Sequence, residues 1–249
     1  MTPRHPHRTP LATPLAGAAL TLVVIAAAAC DRGQSEPPPP TTVTTPTTPA
    51  ATTEPAPATG AARATPAGAV KIEFKDGDGR EVLAFKPKDN GAKVVDGTGA
   101  EIVRITAKGD TGDKVKLKGP DDTVLAYIQA RDDGSLEIED PTSKQRLFVF
   151  KRQDDGDYKL EDGAGTRLYD VKVRPYGFEI FDSKGDRELY KVKVKGEKTS
   201  LRRPDDSTAY ATKDPVAAVA VACLGFDALP QPLRLGLYHQ VQKHLGRTP

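Results

Sequence analysis

Asp214-Pro215-Val216-Ala217-Ala218-Val219-Ala220-Val221-Ala222-Cys223-Leu224 decides how the rest of this chain folds. Asp214 suits an N-cap and Pro215 the first helical position. The residues that follow are apolar on every side, up to Phe226. A helix with no polar face is enclosed by protein or by lipid. At about a dozen residues it is too short to cross a bilayer, which takes about 20. Its small side chains keep it slim, so the sequence predicts a helix threaded through a protein wall. Pro230 and Pro232 then interrupt the chain. A final helix over about Leu233 to Leu245, with Leu233, Leu237, Val241 and Leu245 on one stripe, is expected across one end of that wall.

The wall is read from the residues before it. Asp76, Asp96, Asp121, Asp140, Asp162, Asp182 and Asp205 each open a turn followed by a short apolar strand. Their spacing averages roughly 22 residues, one β-hairpin per unit. Asp-Gly, Asn-Gly and Lys-Gly pairs supply the positive φ that tight hairpins need, as at Asn90-Gly91 and Lys184-Gly185. The strands alternate. Tyr169, Val171 and Val173 point one way while Asp170 and Lys172 point the other; Tyr190, Val192 and Val194 oppose Lys191 and Lys193. One apolar and one charged face describe an antiparallel sheet with a single wet side. Seven hairpins imply about 12 to 14 strands, and a sheet that long must curl or close. The expected fold is mainly β: a closed antiparallel barrel over 69–213, wrapped around a hydrophobic C-terminal helix within 214–249.

Phe178-Glu179-Ile180-Phe181-Asp182-Ser183-Lys184-Gly185-Asp186-Arg187-Glu188-Leu189-Tyr190-Lys191-Val192-Lys193 resembles the repeated strand pair of the LURP-one-related and tubby C-terminal-like domains. The resemblance is one of pattern and order over about Val70 to Leu229. It implies a twelve-stranded barrel around a hydrophobic C-terminal helix. For tubby-type members it also implies phosphoinositide binding through basic surface residues, but no such residue aligns here one by one.

Residues 1–29 read as an export signal. Arg4 and Arg8 precede an apolar run from Leu15 to Ala29, which ends in small residues before Cys30. This resembles a bacterial lipoprotein signal, with Cys30 as the lipid attachment site. Simple secretion and an uncleaved anchor are the other readings. In each, the positive residues ahead of the apolar run send the C-terminal bulk out of the cytoplasm. The expected location is the cell envelope, lipid-anchored and facing the periplasm or the exterior. Residues 30–68 carry the anchor and a Pro/Thr/Ala-rich linker, too poor in large apolar residues to form a core.

Chemistry is sparse. With two cysteines and one of them at the anchor, no disulfide framework exists, and Cys223 is expected to be buried and inert. The four histidines are His5, His7, His239 and His244, so no strand carries one and a Ser-His-Asp site within the sheet is excluded. His239 and His244 are five apart, the wrong spacing for a shared helical ligand, and are expected at the surface. Asp76-Gly77-Asp78-Gly79 reads as a hairpin turn, since a calcium loop needs later acidic positions that are missing. No catalytic residue, metal site or cofactor is expected.

The chain has 36 Lys+Arg and 34 Asp+Glu, and removing Arg4 and Arg8 balances them. A neutral mature protein gives no overall steering toward nucleic acid, and no nucleic-acid partner is expected. The binding candidates are Lys191, Lys193, Lys195, Lys198, Arg202 and Arg203, with the three strand lysines on one outward face. That face suits an anionic ligand or lipid headgroups. The plainer reading, and the favoured one, is a solvated wall whose lysines discourage edge pairing. The functional expectation is a non-enzymatic, lipid-anchored envelope module binding a protein or lipid partner. A phospholipid-binding module is the alternative, and a two-carboxylate hydrolase stands behind it. Oligomeric state is not readable.

Overall fold

In the computed structural model of the chain, residues 70–109 and 111–245 are described. The expected export signal, Cys30 and the expected linker lie outside them. The hairpin units form fourteen strands. The first seven are β1 (Ile72–Lys75), β2 (Glu81–Lys88), β3 (Gly91–Asp96), β4 (Glu101–Lys108), β5 (Lys114–Lys118), β6 (Val124–Ala130) and β7 (Leu136–Glu139). The second seven are β8 (Arg146–Arg152), β9 (Tyr158–Asp162), β10 (Arg167–Arg174), β11 (Gly177–Asp182), β12 (Glu188–Lys195), β13 (Lys198–Arg202) and β14 (Thr208–Thr212). Each pairs antiparallel with its neighbours in sequence, and β1 meets β14 at Lys75 and Ala211, closing the barrel.

The repeated turn has a common build. Asp76 N donates to Arg80 O and Gly79 N to Asp76 O; Asp96, Gly119, Arg131, Gln153, Asp162 and Arg203 begin turns of the same kind. The fourth residue takes positive φ, as at Gly79 or Asp206, and the ladder shifts register beside it, as at Phe74/Lys75. This is a type I turn closed by a bulge, which explains the need for Gly or Asp there. The Asp76 carboxylate accepts from the backbone of Asp78 and Arg80, as Asp96 does from Thr98 and Ala100. Asp121 and Asp205 sit two residues inside their turns rather than opening them.

Strand alternation defines two rims. β1 starts at what we term the basal rim. The turns after β1, β3, β5, β7, β9, β11 and β13 form the distal rim, and β14 returns the chain to the basal one. From there the chain enters the lumen. Helix α1 (Ala218–Ala222) continues as a 3-10 turn, Cys223–Gly225, and packs on β11–β13. The chain reverses at the distal rim, and helix α2 (Gln231–His244) runs back along β4–β7.

This corrects two expectations. The apolar segment is a short helix starting at Ala218, and Asp214 is not its cap: its carboxylate accepts from Glu73 N and the Thr212 hydroxyl instead, tying β1 to the chain leaving β14. The final helix does not lie across one end. It fills half of the lumen, with Leu233, Leu235, Leu237, Tyr238 and Val241 buried. Its polar residues concentrate toward its two ends. Arg234 reaches the distal rim, while Lys243 donates to Thr111 O and Gly112 O at the basal rim.

The core is therefore strand side chains on one side and a helical hairpin on the other. Phe226 stacks on Tyr169 at 5.0 Å and lies 5.9 Å from Phe150. Each such fully buried large side chain contributes about 1.5–3 kcal/mol relative to exposure. Val173 and Val194 lie past this core and are exposed, so alternation alone misassigned them to the interior.

Candidate ligand cleft at the barrel mouth

The outer wall carries many ion pairs, and away from β2–β5 its charges mostly alternate in sign. Glu101 pairs with Lys93 and with Arg104 at 2.8 Å, Glu139 with Lys114 at 2.7 Å, and Glu161 with Lys151 and Lys159 at 2.8 Å. Burial raises the Glu161 carboxyl, but the two lysines outweigh it and hold it below its ordinary range. A wall of this kind faces water; a lipid-embedded barrel presents an apolar band outward. With the lumen filled, ligands are left with the outer wall and the mouths.

The distal mouth holds a cleft of about 630 Å³ between the wall and the reversal of the helical hairpin. That volume falls within the range of small-molecule sites, for which barrel mouths are a recurrent location. Val82, Ala209 and Tyr210 give the cleft an apolar part, with Leu201 and Leu224 buried behind them. Its rim brings together Arg80, Arg203 and Arg234 from three separate elements. Asp227 organises one side: its carboxylate accepts from the Tyr190 hydroxyl at 2.7 Å and from Arg234 at 2.6 Å, while Arg234 also donates to Leu224 O. Burial and the bond to Asp227 push the Tyr190 hydroxyl up to about 12, so it stays a donor throughout the physiological range. Arg80 is held by Asp76 and Asp78. Arg203 differs. Its guanidinium donates to the Ser207 hydroxyl at 3.3 Å and forms no ion pair among the described residues.

The basic residues singled out by sequence are divided by this geometry. Lys191, Lys193 and Lys195 share the outward face with their cross-strand partners Arg202, Ser200 and Lys198. Carboxylates interleave with them. Lys191 pairs with Glu188 at 3.0 Å, and Asp206 takes Lys193 and Arg202 at 2.8 and 2.9 Å. Arg203 turns away to the cleft. The sequence carried no periodic signal for the cleft, because its residues come from five places in the chain. Among the histidines, His239 is not a surface residue as expected: its Nδ1 is buried, and the residue as a whole is only partly exposed.

No protein-family model matches the sequence, and no curated protein matches it significantly. Among solved structures, a protein from Arabidopsis thaliana is similar over 64% of this chain and 90% of its own, with 15% identity and a TM-score of 0.36. An alternansucrase in complex with isomaltononaose matches over 52% of this chain and 12% of its own, with 12% identity and a TM-score of 0.15. Neither likeness is close enough to inform function.

Proposed function

We propose that this chain is a non-enzymatic binding module of the cell envelope, anchored by lipid at Cys30, which holds a small ligand in the distal cleft. The observation that carries this reading is the cleft itself, lined by an arginine that forms no direct ion pair among the described residues, although its charge reaches Asp205. The ligand it fits has an acidic group for Arg203 and an apolar body over Val82, Ala209 and Tyr210. Binding is favoured over two-carboxylate hydrolysis because Asp76 and Asp227 are already engaged by arginine or tyrosine donors. For Asp76, burial acts upward on the carboxyl, but the bonds from Arg80 and Asp78 prevail and hold it low, the reverse of what a general acid needs.

The order of hairpins and C-terminal helices supports kinship with the LURP-one-related and tubby-like barrels, with fourteen strands in place of twelve. The alternative function, phospholipid binding through the β12–β13 lysines, is weakened by the carboxylates paired with them.

The test is native mass spectrometry of the full chain purified from membranes, beside an Ala209→Trp variant whose indole would occupy the cleft. A small molecule carried by the wild type and missing from the variant supports the reading. Unliganded protein from both, with flotation on anionic liposomes that Lys191→Glu, Lys193→Glu and Lys195→Glu abolish, would replace it with the lipid alternative.

A further inference from the structure

Away from the cleft, the outer face of β2–β5 breaks the rule of alternating charge. Register places Lys86 opposite Lys93, Lys93 opposite Arg104, and Arg104 opposite Lys118. Four cations thus form one row across four adjacent strands, about 14 Å long at the usual strand spacing. Like charges directly opposite one another destabilise a sheet. On the β10–β13 side the equivalent row is Lys172, Glu179, Lys191 and Arg202, broken by its glutamate.

The next row explains what the cations surround. It runs Lys88, Gly91, Thr106, Lys116. Gly91 has φ +143, and a Cβ there would lie 2.0 Å from Ile105 O, so no side chain can stand at that point. Gly91 and Thr106 therefore make a low floor, with Lys88 and Lys116 at its two sides. Below it, Lys108 lies opposite Lys114. Carboxylates compensate part of this charge: Glu101 takes Lys93 and Arg104, Asp122 takes Arg104 and Lys118, and Glu139 takes Lys114. Lys86, Lys88, Lys108 and Lys116 form no ion pair among the described residues, and these four enclose the floor.

We propose that this face binds an acidic polysaccharide, with one acidic group seated over Gly91 and Thr106 and the polymer running across β2–β5. A bilayer fits less well, because no exposed large apolar side chain projects from these strands to insert. Nucleic acid fits less well too. The neighbouring aromatic, Tyr127, already carries Lys114 and Lys144 at 5.2 and 4.5 Å from its ring centre, which competes with base stacking. The surface is separate from the distal cleft and stands whether or not the cleft holds a ligand.

The test is affinity electrophoresis of the full chain in native gels containing polygalacturonate, with neutral dextran as the control. Retardation is expected with polygalacturonate alone. Combined Lys86→Gln, Lys88→Gln, Lys108→Gln and Lys116→Gln should weaken it by about tenfold or more, since each lost cation removes a counterion-releasing contact. Lys191→Gln, Lys193→Gln, Lys195→Gln and Lys198→Gln remove the same charge and should change it less than about twofold if contacts rather than net charge decide binding. The first variant should unfold at the same temperature as the wild type or higher, because like-charge pairs are relieved. Equal weakening in both variants overturns the proposal. So does the absence of retardation, or binding to phosphatidylglycerol vesicles or oligothymidylate without binding to polygalacturonate.

Discussion

The ring of Tyr238 on the last helix lies 4.5 Å from the ring of Phe85 on the second strand. It also meets Phe74 of β1 edge-on at 5.6 Å. The barrel closes between β1 and β14 with one residue pair in register, so Tyr238 braces the wall beside its thinnest seam. Tyr238→Ala is expected to cost about 3–5 kcal/mol, the range for emptying a buried aromatic site. The hydroxyl is another matter. It is buried with no hydrogen-bond partner among the described residues, and burial drives it far from ionisation. Tyr238→Phe removes that unsatisfied group and should stabilise by about 1 kcal/mol. Urea unfolding of the two variants checks both signs.

Gly236 lets α2 approach the wall. A Cβ there would lie 2.5 and 2.7 Å from the two terminal methyls of Leu117, and 2.9 Å from Ile128 Cδ1. Helix propensity favours Gly236→Ala by about 1 kcal/mol, while overpacking a closed core costs about 1–3 kcal/mol. Net destabilisation is expected. Leu117→Val in the same chain should recover part of it, and the double-mutant cycle should return a favourable coupling of about 0.5 kcal/mol or more. Additive losses would show that the two side chains do not meet.

The wall was legible because hairpin chemistry is local. An Asp one to four residues ahead of a positive-φ position specifies its turn whatever surrounds it, and alternation then assigns the faces. The lumen was only half legible. Val216 to Leu224 has no polar face, so its enclosure follows from composition. In α2, the stripe Leu233, Leu237, Val241 and Leu245 suggested a helix lying across one end of the wall. The structure places Arg234 and Lys243 at opposite mouths, and Gln240 donates to Asp113 O, so polarity is sorted along the helix axis rather than around it. Alternation likewise reports which side a residue faces, not how far the packed core extends; hence the exposed Val173 and Val194. The distal cleft and the β2–β5 cradle depend on residues distant in sequence, and register is what brings them together.

His239 should make stability depend on pH in a window where few other groups titrate. Burial, with the charges of Lys243 and His244, lowers its pKa from the ordinary 6.5 to about 4. Between these values the unfolded chain binds a proton that the folded chain does not, so stability is full above pH 6.5 and falls as pH drops toward 4. Partial exposure of the residue moderates the effect. Glu101 and Glu161 are also held low by their cationic partners, and Glu179 by the Tyr176 hydroxyl and Arg174, and the stability they contribute is lost only as pH falls below about 4.5. Comparing the wild type with His239→Gln between pH 6.5 and 5 isolates the histidine. The variant is expected to show the flatter profile, and equal slopes would mean that the ring is protonated as easily in the folded protein as in the unfolded one.

Ending the chain at Lys213 tests the dependence of wall on filling most directly. The strands would keep every turn and every ladder partner. They would lose the residues against which Phe74, Phe85, Phe150, Leu117 and Ile180 pack. A lumen lined by such side chains neither holds water favourably nor closes by itself, because interior packing tolerates few voids. The truncated chain is expected to lack a cooperative thermal transition and to aggregate through exposed apolar faces, while the full chain unfolds in one step. Adding residues 214–249 as a separate peptide should restore a transition in proportion to peptide concentration, since binding to the folded state alone stabilises by mass action. A truncated barrel that melts cooperatively on its own would mean that the ladder and turns suffice to hold the wall, leaving the helical hairpin free to leave the lumen.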